Sequence, residues 1–231
     1  MDVISIMCAQ SAEDYFEKIE SLAEDGNAAA QCGLGTMYIN GTFVDKDEDK
    51  AMEWFLRASG QGSAEAASKL GIAYYCGIGT EIDYGEAFRW FSLASDRGHG
   101  PSDIYLAWMY ANGQGTQRNA AGAMFHLFRA LEAADSGDVS TQTHLGHIYM
   151  MENDVFGRDV EKASCYLTLA ALQEDPDAQY SLGTLYADGS WERHSIHKAR
   201  MWLGRAVSNG CKEAEYALAT LGHGTPATPR L

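Results

Sequence analysis

The sequence has little of what marks membrane, disulfide-bonded or nucleic-acid-binding proteins. No apolar run approaches the ~20 residues that a membrane-crossing helix needs. The opening MDVISIMCAQ is acidic and too short for a basic region followed by a hydrophobic core, so neither a secretory nor a lipoprotein signal is expected. The five cysteines, Cys8, Cys32, Cys76, Cys165 and Cys211, are odd in number, widely spaced and form no CxxC. Reduced thiols fit that pattern better than a disulfide frame, and a cytoplasmic location follows as the expectation. Proline is scarce: two of the 4 prolines lie in the tail 223–231, which is expected to be flexible, and no Pro/Gly/Ser linker divides the 231 residues. One continuous body is expected.

Basic residues are also few. Seventeen Lys and Arg stand against 32 Asp and Glu, a formal net charge of -15. That balance excludes nucleic acid and an anionic membrane as expected ligands, because both reward clustered cations. It leaves another protein as partner, with a basic one favoured. The charge is uneven: residues 1–60 hold 12 acids and 4 bases, whereas residues 191–231 hold 3 acids and 6 bases. This polarity is either the ordinary acidity of exposed, soluble helices or a field that steers a basic partner, with Asp45, Asp47, Glu48 and Asp49 as the acids expected to do so. Catalytic signatures are missing too. There is no GxSxG, no HExxH and no carboxylate pair with an evident cleft, so no catalytic, cofactor-binding or metal residue is assigned.

What the chain does have is a period. Leu34, Leu70, Leu106, Leu145, Leu182 and Leu218 succeed one another at 36, 36, 39, 37 and 36 residues. Four residues after each of the first five comes a tyrosine: Tyr38, Tyr74, Tyr110, Tyr149 and Tyr186. A glycine or alanine follows each leucine. Downstream in each unit two alanines stand seven apart (51/58, 87/94, 123/130, 163/170, 199/206), two helical turns and hence on one face. Between them lie Trp54, Trp90, His126, Tyr166 and Trp202, and before them the N-cap candidates Asp47, Asp83, Asn119, Asp159 and Ser195. Each unit therefore reads as a helix A carrying Leu, a small residue and Tyr, a short loop, and a capped helix B.

The same frame interprets two Gly-x-Gly-Thr turns, GIGT at 77–80 and GQGT at 113–116. A phosphate-binding loop would need a preceding strand or a Gly-Lys-Ser/Thr, and neither occurs. The first glycine of each turn falls three residues after the tyrosine, at Gly41, Gly77, Gly113 and Gly189, where a helix A must end. These four are expected to be C-terminal caps.

The stretches GNAAAQCGLGTMYINGTFVDKDEDKAMEWFLRASGQG (26–62) and GSAEAASKLGIAYYCGIGTEIDYGEAFRWFSLASDRG (62–98) resemble the Sel-one-like repeat family, relatives of tetratricopeptide repeats. The resemblance implies an all-α, right-handed α-solenoid of tandem antiparallel helix pairs. It implies five repeats at about 27–62, 63–98, 99–137, 138–174 and 175–210, with a closing helix at 211–222. An N-terminal segment, 1–26, is expected to be one capping helix started by Ser11 and ended at Gly26. Unit four departs from the pattern at MMENDVFGRD (150–159) and unit five at ADGSWERHS (187–195); these irregular loops are either contact sites or drift.

The family resemblance also implies binding, not catalysis. By analogy with tetratricopeptide geometry, one row of helix A positions lines the concave side. That row includes Thr36, Ile39, Asn40, Ile72, Tyr75, Ile104, Trp108 and Asn112. It continues through Thr143, His147, Met150, Met151, Tyr180, Thr184, Asp188, Tyr216 and Thr220. The expected function is a non-catalytic protein-protein interaction module, adaptor or regulatory scaffold, monomeric or weakly dimeric before client binding. Bacterial immunity proteins that neutralise a toxin are an alternative role in the same class. A hydrolase of the kind attributed to cysteine-rich relatives is a rival of another class, but those relatives carry paired cysteines in each repeat and this chain does not. Of the remaining candidates, His144 and His147 share one helix face without a third ligand at metal-motif spacing, and read as surface or groove histidines. His126 sits in an aromatic slot, where it is either a packed imidazole or a pH-sensitive joint.

Overall fold

The computed structural model describes residues 3–151 and 156–221, with side chains from Asp14 onward. The described residues form helices and no strand. In chain order these are α1 (Val3–Glu24), α2 (Ala28–Asn40), α3 (Glu48–Gly60), α4 (Ala64–Cys76), α5 (Tyr84–Asp96), α6 (Gly100–Asn112), α7 (Ala120–Asp135), α8 (Val139–Met150), α9 (Val160–Leu172), α10 (Pro176–Ala187), α11 (Ile196–Ser208) and α12 (Lys212–Leu221). The even-numbered helices are the expected A helices, and α3, α5, α7, α9 and α11 the B helices. The fold is an all-α solenoid of helix pairs. Its helices gather into two compact units, Met1–Leu127 and Phe128–Leu231, with α7 beginning in the first and ending in the second.

Local chemistry sets the helix ends. All five expected B caps accept from free backbone amides: Asp47 from Lys50, Asp83 from Glu86, Asp159 from Lys162, Ser195 from Lys198, and Asn119 from both Ala121 and Gly122. Gly41, Gly77 and Gly113 close α2, α4 and α6 in the left-handed region, at φ 65, 74 and 69°. Gly189 does not. Helix α10 ends one residue earlier at Asp188 in an extended conformation, and the Asp188 carboxylate accepts from the Ser190 amide at 2.9 Å. That side-chain turn reverses the chain without a residue at positive φ. A second correction falls at the N-terminus. Helix α1 begins at Val3, so Ser11 lies inside the helix and does not cap it. Serine is only mildly unfavourable in a helix interior, and its presence does not force a start. The chain turns at Gly26 as expected, at φ 91°.

The repeated leucines Leu34, Leu70, Leu106, Leu145 and Leu182 are fully buried, as are the paired alanines. The small residue after each leucine is set by steric contact with the B helix. A Cβ on Gly71 would meet the Phe91 ring at 2.7 Å, closer than carbon atoms approach. The second glycine of each Gly-x-Gly-Thr turn has a different task. At Gly115 a Cβ would lie 2.0 Å from the Tyr84 carbonyl oxygen, and φ is +65°. This turn lies directly on the first residues of the preceding B helix. At the corresponding place in the previous repeat the Gly79 amide donates to the Glu48 carboxylate at 2.9 Å. In repeat five Trp191 fills that space instead: it is buried, packs on Tyr186 at 5.1 Å, and donates its indole N–H to Glu161 at the start of α9. The irregular loop at 187–195 thus carries an interior tryptophan. The other irregular loop, 150–159, lies partly outside the described residues, and the tail 223–231 lies wholly outside them.

Candidate functional site

Successive A helices of the first unit present the expected binding row at one register. Thr36, Ile39, Ile72, Tyr75 and Trp108 are half-buried, Asn40 and Asn112 are exposed, and Ile104 is buried at 5 % exposure. Ile104 therefore supports the row from beneath and does not face solvent. Tyr75 is engaged by rings outside the row. The Tyr75 ring meets Tyr84 edge-on at 5.2 Å and Tyr105 at 6.3 Å, and Tyr105 stacks flat on Phe91 at 4.5 Å. The Tyr75 hydroxyl donates to Gln114 Oε1 at 3.1 Å, and burial raises its pKa, opposed by the hydrogen bonds with Gln114 and Trp108. The result is a braced aromatic surface with rings and an amide on it, and no charged side chain among the named positions.

In the second unit the row is more polar. Thr143 is buried and donates to Asp175 at 3.2 Å. His147 is exposed, with Nε2 2.7 Å from the Ser181 hydroxyl on α10. Met150, Tyr180, Thr184, Asp188 and Thr220 are half-buried, Met151 is exposed, and Tyr216 is 75 % exposed. Desolvation is the main cause that lowers the His147 pKa below the ordinary value, with His144 second. A serine beside a neutral imidazole is the start of a nucleophilic dyad. Ser181, however, lies inside α10, where backbone amides are committed to the helix and none is left to stabilise an oxyanion. The pair bridges two A helices.

The structure brings out a device that the sequence reading missed. Three residues before the repeated leucine, Gln31, Gln142 and Gln179 are buried, and each donates to the last turn of the preceding helix, at Ala23, Ala134 and Ala171. Each also accepts from the residue that ends its own B helix: Gln61, Gln173 and Asn209. These glutamines are polar staples between neighbouring pairs. Their common register was the available signal. Repeats two and three replace them. Ala67 stands at this register in repeat two, where Arg97 reaches the Ser59 carbonyl directly at 3.0 Å and the Trp90 indole N–H is buried without a partner. In repeat three the register holds Asp103, 2 % exposed, which accepts from Ser95 Oγ at 2.8 Å and pairs with His126 Nδ1 at 2.7 Å. His126 is thus a packed imidazole with a satisfied nitrogen, stacked on Tyr110 at 5.5 Å. The serine here bonds the carboxylate and not the imidazole, so the group does not have the arrangement of a catalytic triad.

Among the described residues no three His, Cys, Asp or Glu side chains gather to hold a metal ion, and no helix is long and apolar enough to cross a membrane. The described cysteines Cys32, Cys76, Cys165 and Cys211 are free, and burial is the main cause that raises the Cys32 thiol to about 11. Of the four acids expected to steer a partner, Asp47 caps α3 and Glu48 binds Lys46 at 2.7 Å and the Gly79 amide.

The family model for the Sel1 repeat matches residues 28–63, 64–99, 101–135 and 176–211. It passes over the fourth pair, although α8 and α9 retain the buried Leu145, Ala163 and Ala170 of the pattern. The chitin synthase regulator SKT5 of Saccharomyces cerevisiae is 33 % identical over 91 residues, which are 38 % of this chain and 13 % of that protein. A protective antigen of uropathogenic Escherichia coli displaying an SLR fold is 30 % identical at a TM-score of 0.50, over 90 % of this chain and 44 % of that one. A Sel1 repeat protein of Oxalobacter formigenes is 26 % identical at a TM-score of 0.55, over 89 % of each chain. The chain therefore spans less than half the length of the yeast regulator and of the E. coli antigen.

Proposed function

Because the chain belongs to the Sel1 repeat family, we propose that it is a non-catalytic adaptor or regulatory scaffold, which holds a client protein or peptide on the exposed row of its A helices. The observation that carries this reading is the half-exposed surface of Ile72 and Trp108, at one register of successive helices, beside a Tyr75 braced by Tyr84 and Tyr105. Rigid aromatics that are already held in place lose little entropy on binding, and they are the residues that most often anchor protein interfaces. Likeness to a yeast enzyme regulator agrees with a regulatory role. The row in the second unit, with His147, Tyr180 and Tyr216, supplies hydrogen-bonding groups and a further ring.

The test begins with a protein captured by the full chain from its native extract, remade pure and titrated by calorimetry. Trp108→Ala and, separately, Tyr180→Ala should each weaken that binding about tenfold or more, with helix content and melting midpoint close to those of the parent. Unchanged affinity in both variants rejects the A-helix row as the binding surface.

A further inference from the structure

One register position in the turns of the first unit takes a left-handed backbone in every repeat. Gly79 and Gly115 hold it at φ 65°, and in the first repeat Phe43 holds it at φ 67°. A side chain in that region sets Cβ against the carbonyl oxygen, and aromatic residues seldom occupy it. The ring itself is 53 % exposed. Its neighbour is Tyr15 of α1, 51 % exposed, with ring centroids 5.8 Å apart and planes at 63°. Phe43 thus combines an unfavourable backbone with a large apolar ring in water. In repeats two and three the same position faces the preceding B helix, where a Cβ would lie 3.0 Å from Glu48 and 2.0 Å from the Tyr84 oxygen. Repeat one follows α1 and has no preceding B helix, which explains why a side chain is tolerated. It does not explain why the side chain is phenylalanine, when glycine would relieve the backbone. Strain that persists at an exposed residue points to a contact made outside the chain.

The flanking charge indicates what makes that contact. Exposed Asp14 precedes Tyr15, exposed Lys18 stands one turn after it on α1, and exposed Asp45 and Asp49 follow Phe43. Carboxylates outnumber cations here, and two of the three cations are engaged, Lys46 by Glu48 at 2.7 Å and Lys50 by Asp47 at 3.4 Å. We propose that Tyr15 and Phe43 form an aromatic anchor for a basic, apolar segment of a partner protein. The rings take its apolar side chains and stack against a guanidinium or ammonium, while the carboxylates draw the cation in. This anchor rests on the protein-binding reading but uses a surface other than the A-helix row.

Two short fluorescein-labelled amphipathic peptides test it by anisotropy, one of lysine and leucine and one of glutamate and leucine. The full chain should bind the cationic peptide, more weakly as salt rises, and leave the anionic one free. Phe43→Gly should weaken that binding about tenfold while the melting midpoint holds or rises, and Tyr15→Ser should weaken it without unfolding. Trp108→Ala should leave it unchanged, which separates failure of the anchor from failure of the A-helix row. Equal affinity in Phe43→Gly, equal binding of the anionic peptide, or a lower midpoint in Phe43→Gly would overturn the proposal. A dimer that dissociates on Phe43→Gly, seen by light scattering, would also overturn it by assigning the surface to a second copy.

Discussion

Replacing His126 with tryptophan, the residue at this register in repeats one, two and five, should destabilise repeat three even though it looks like a return to the family pattern. The reason lies beneath the ring. The Asp103 side chain is 3 % exposed and the His126 side chain 15 %, with 2.7 Å between Oδ1 and Nδ1. An indole keeps an aromatic face for Tyr110 but takes away the ring nitrogen that Asp103 binds. Breaking a buried pair by removing one partner typically costs about 3–5 kcal/mol, because the carboxylate stays desolvated and loses one of its hydrogen-bond partners. Asp103→Gln alone should cost less, about 1–2 kcal/mol, since an amide is cheaper to bury and still offers an oxygen to the imidazole. The double replacement Asp103→Gln with His126→Trp recreates the combination found in repeat five, Gln179 with Trp202. It should return to within about 1 kcal/mol of the parent, because exchanging both members of a buried pair for well-packed groups is often close to neutral. The coupling between the two sites is then at least about 3 kcal/mol. A solenoid loses its repeats unevenly, so a single global unfolding curve is a poor gauge. Amide hydrogen exchange of α6 and the first half of α7, alongside urea unfolding followed by circular dichroism, reads the local effect. Additive losses in the double variant would refute the argument and reduce Asp103–His126 to two independent packing residues.

Three further outcomes follow from backbone and charge. Gly115→Ala should lower the melting midpoint, by about 2 kcal/mol or more in stability, since its Cβ would lie 2.0 Å from the Tyr84 oxygen. Glu174→Gly should raise it, by up to about 1 kcal/mol, since Glu174 holds φ 67° where other repeats use glycine; a calorimetric scan that reverses either sign contradicts the turn assignment. The Asp47 and Asp159 carboxylates have pKa values below their ordinary 3.8, chiefly because the Lys50 and Lys162 amides donate to the charged form. Their capping stabilisation is therefore complete above that value and lost as pH falls through the lower folded-state pKa values. Asn at both positions should flatten the acid limb of a thermal stability profile, and an unchanged limb would show that other groups set it.

How far the site was legible depends on whether a residue acts within its own helix pair or between pairs. Helix caps act over three residues, and all five B caps were legible, as were Gly41, Gly77 and Gly113. Gly189 was misread because Asp188 offers a competing side-chain turn that a tyrosine-to-glycine spacing does not register. Ser11 was misread because a polar residue that can cap a helix can also sit inside one. The glutamine staples left only a faint trace: Gln31, Gln142 and Gln179 share a register, but two of five repeats break it. Ile104 has the spacing of a surface residue and is buried, which the helical period by itself does not distinguish.

The sequence by itself determined the helices, their pairing and the buried leucine-alanine frame, because those follow from a period and from contacts a few turns apart along the chain. It also determined that glycine ends α2, α4 and α6. Only the tertiary structure decided that Asp103 and His126, 23 residues apart, are a single buried pair, and that Phe43 stands strained and open to solvent where Gly79 and Gly115 are pressed against backbone. Those facts depend on which helix lies next to which turn. A contact between repeats is fixed by packing distances of a few ångströms, and no period in one chain carries that information.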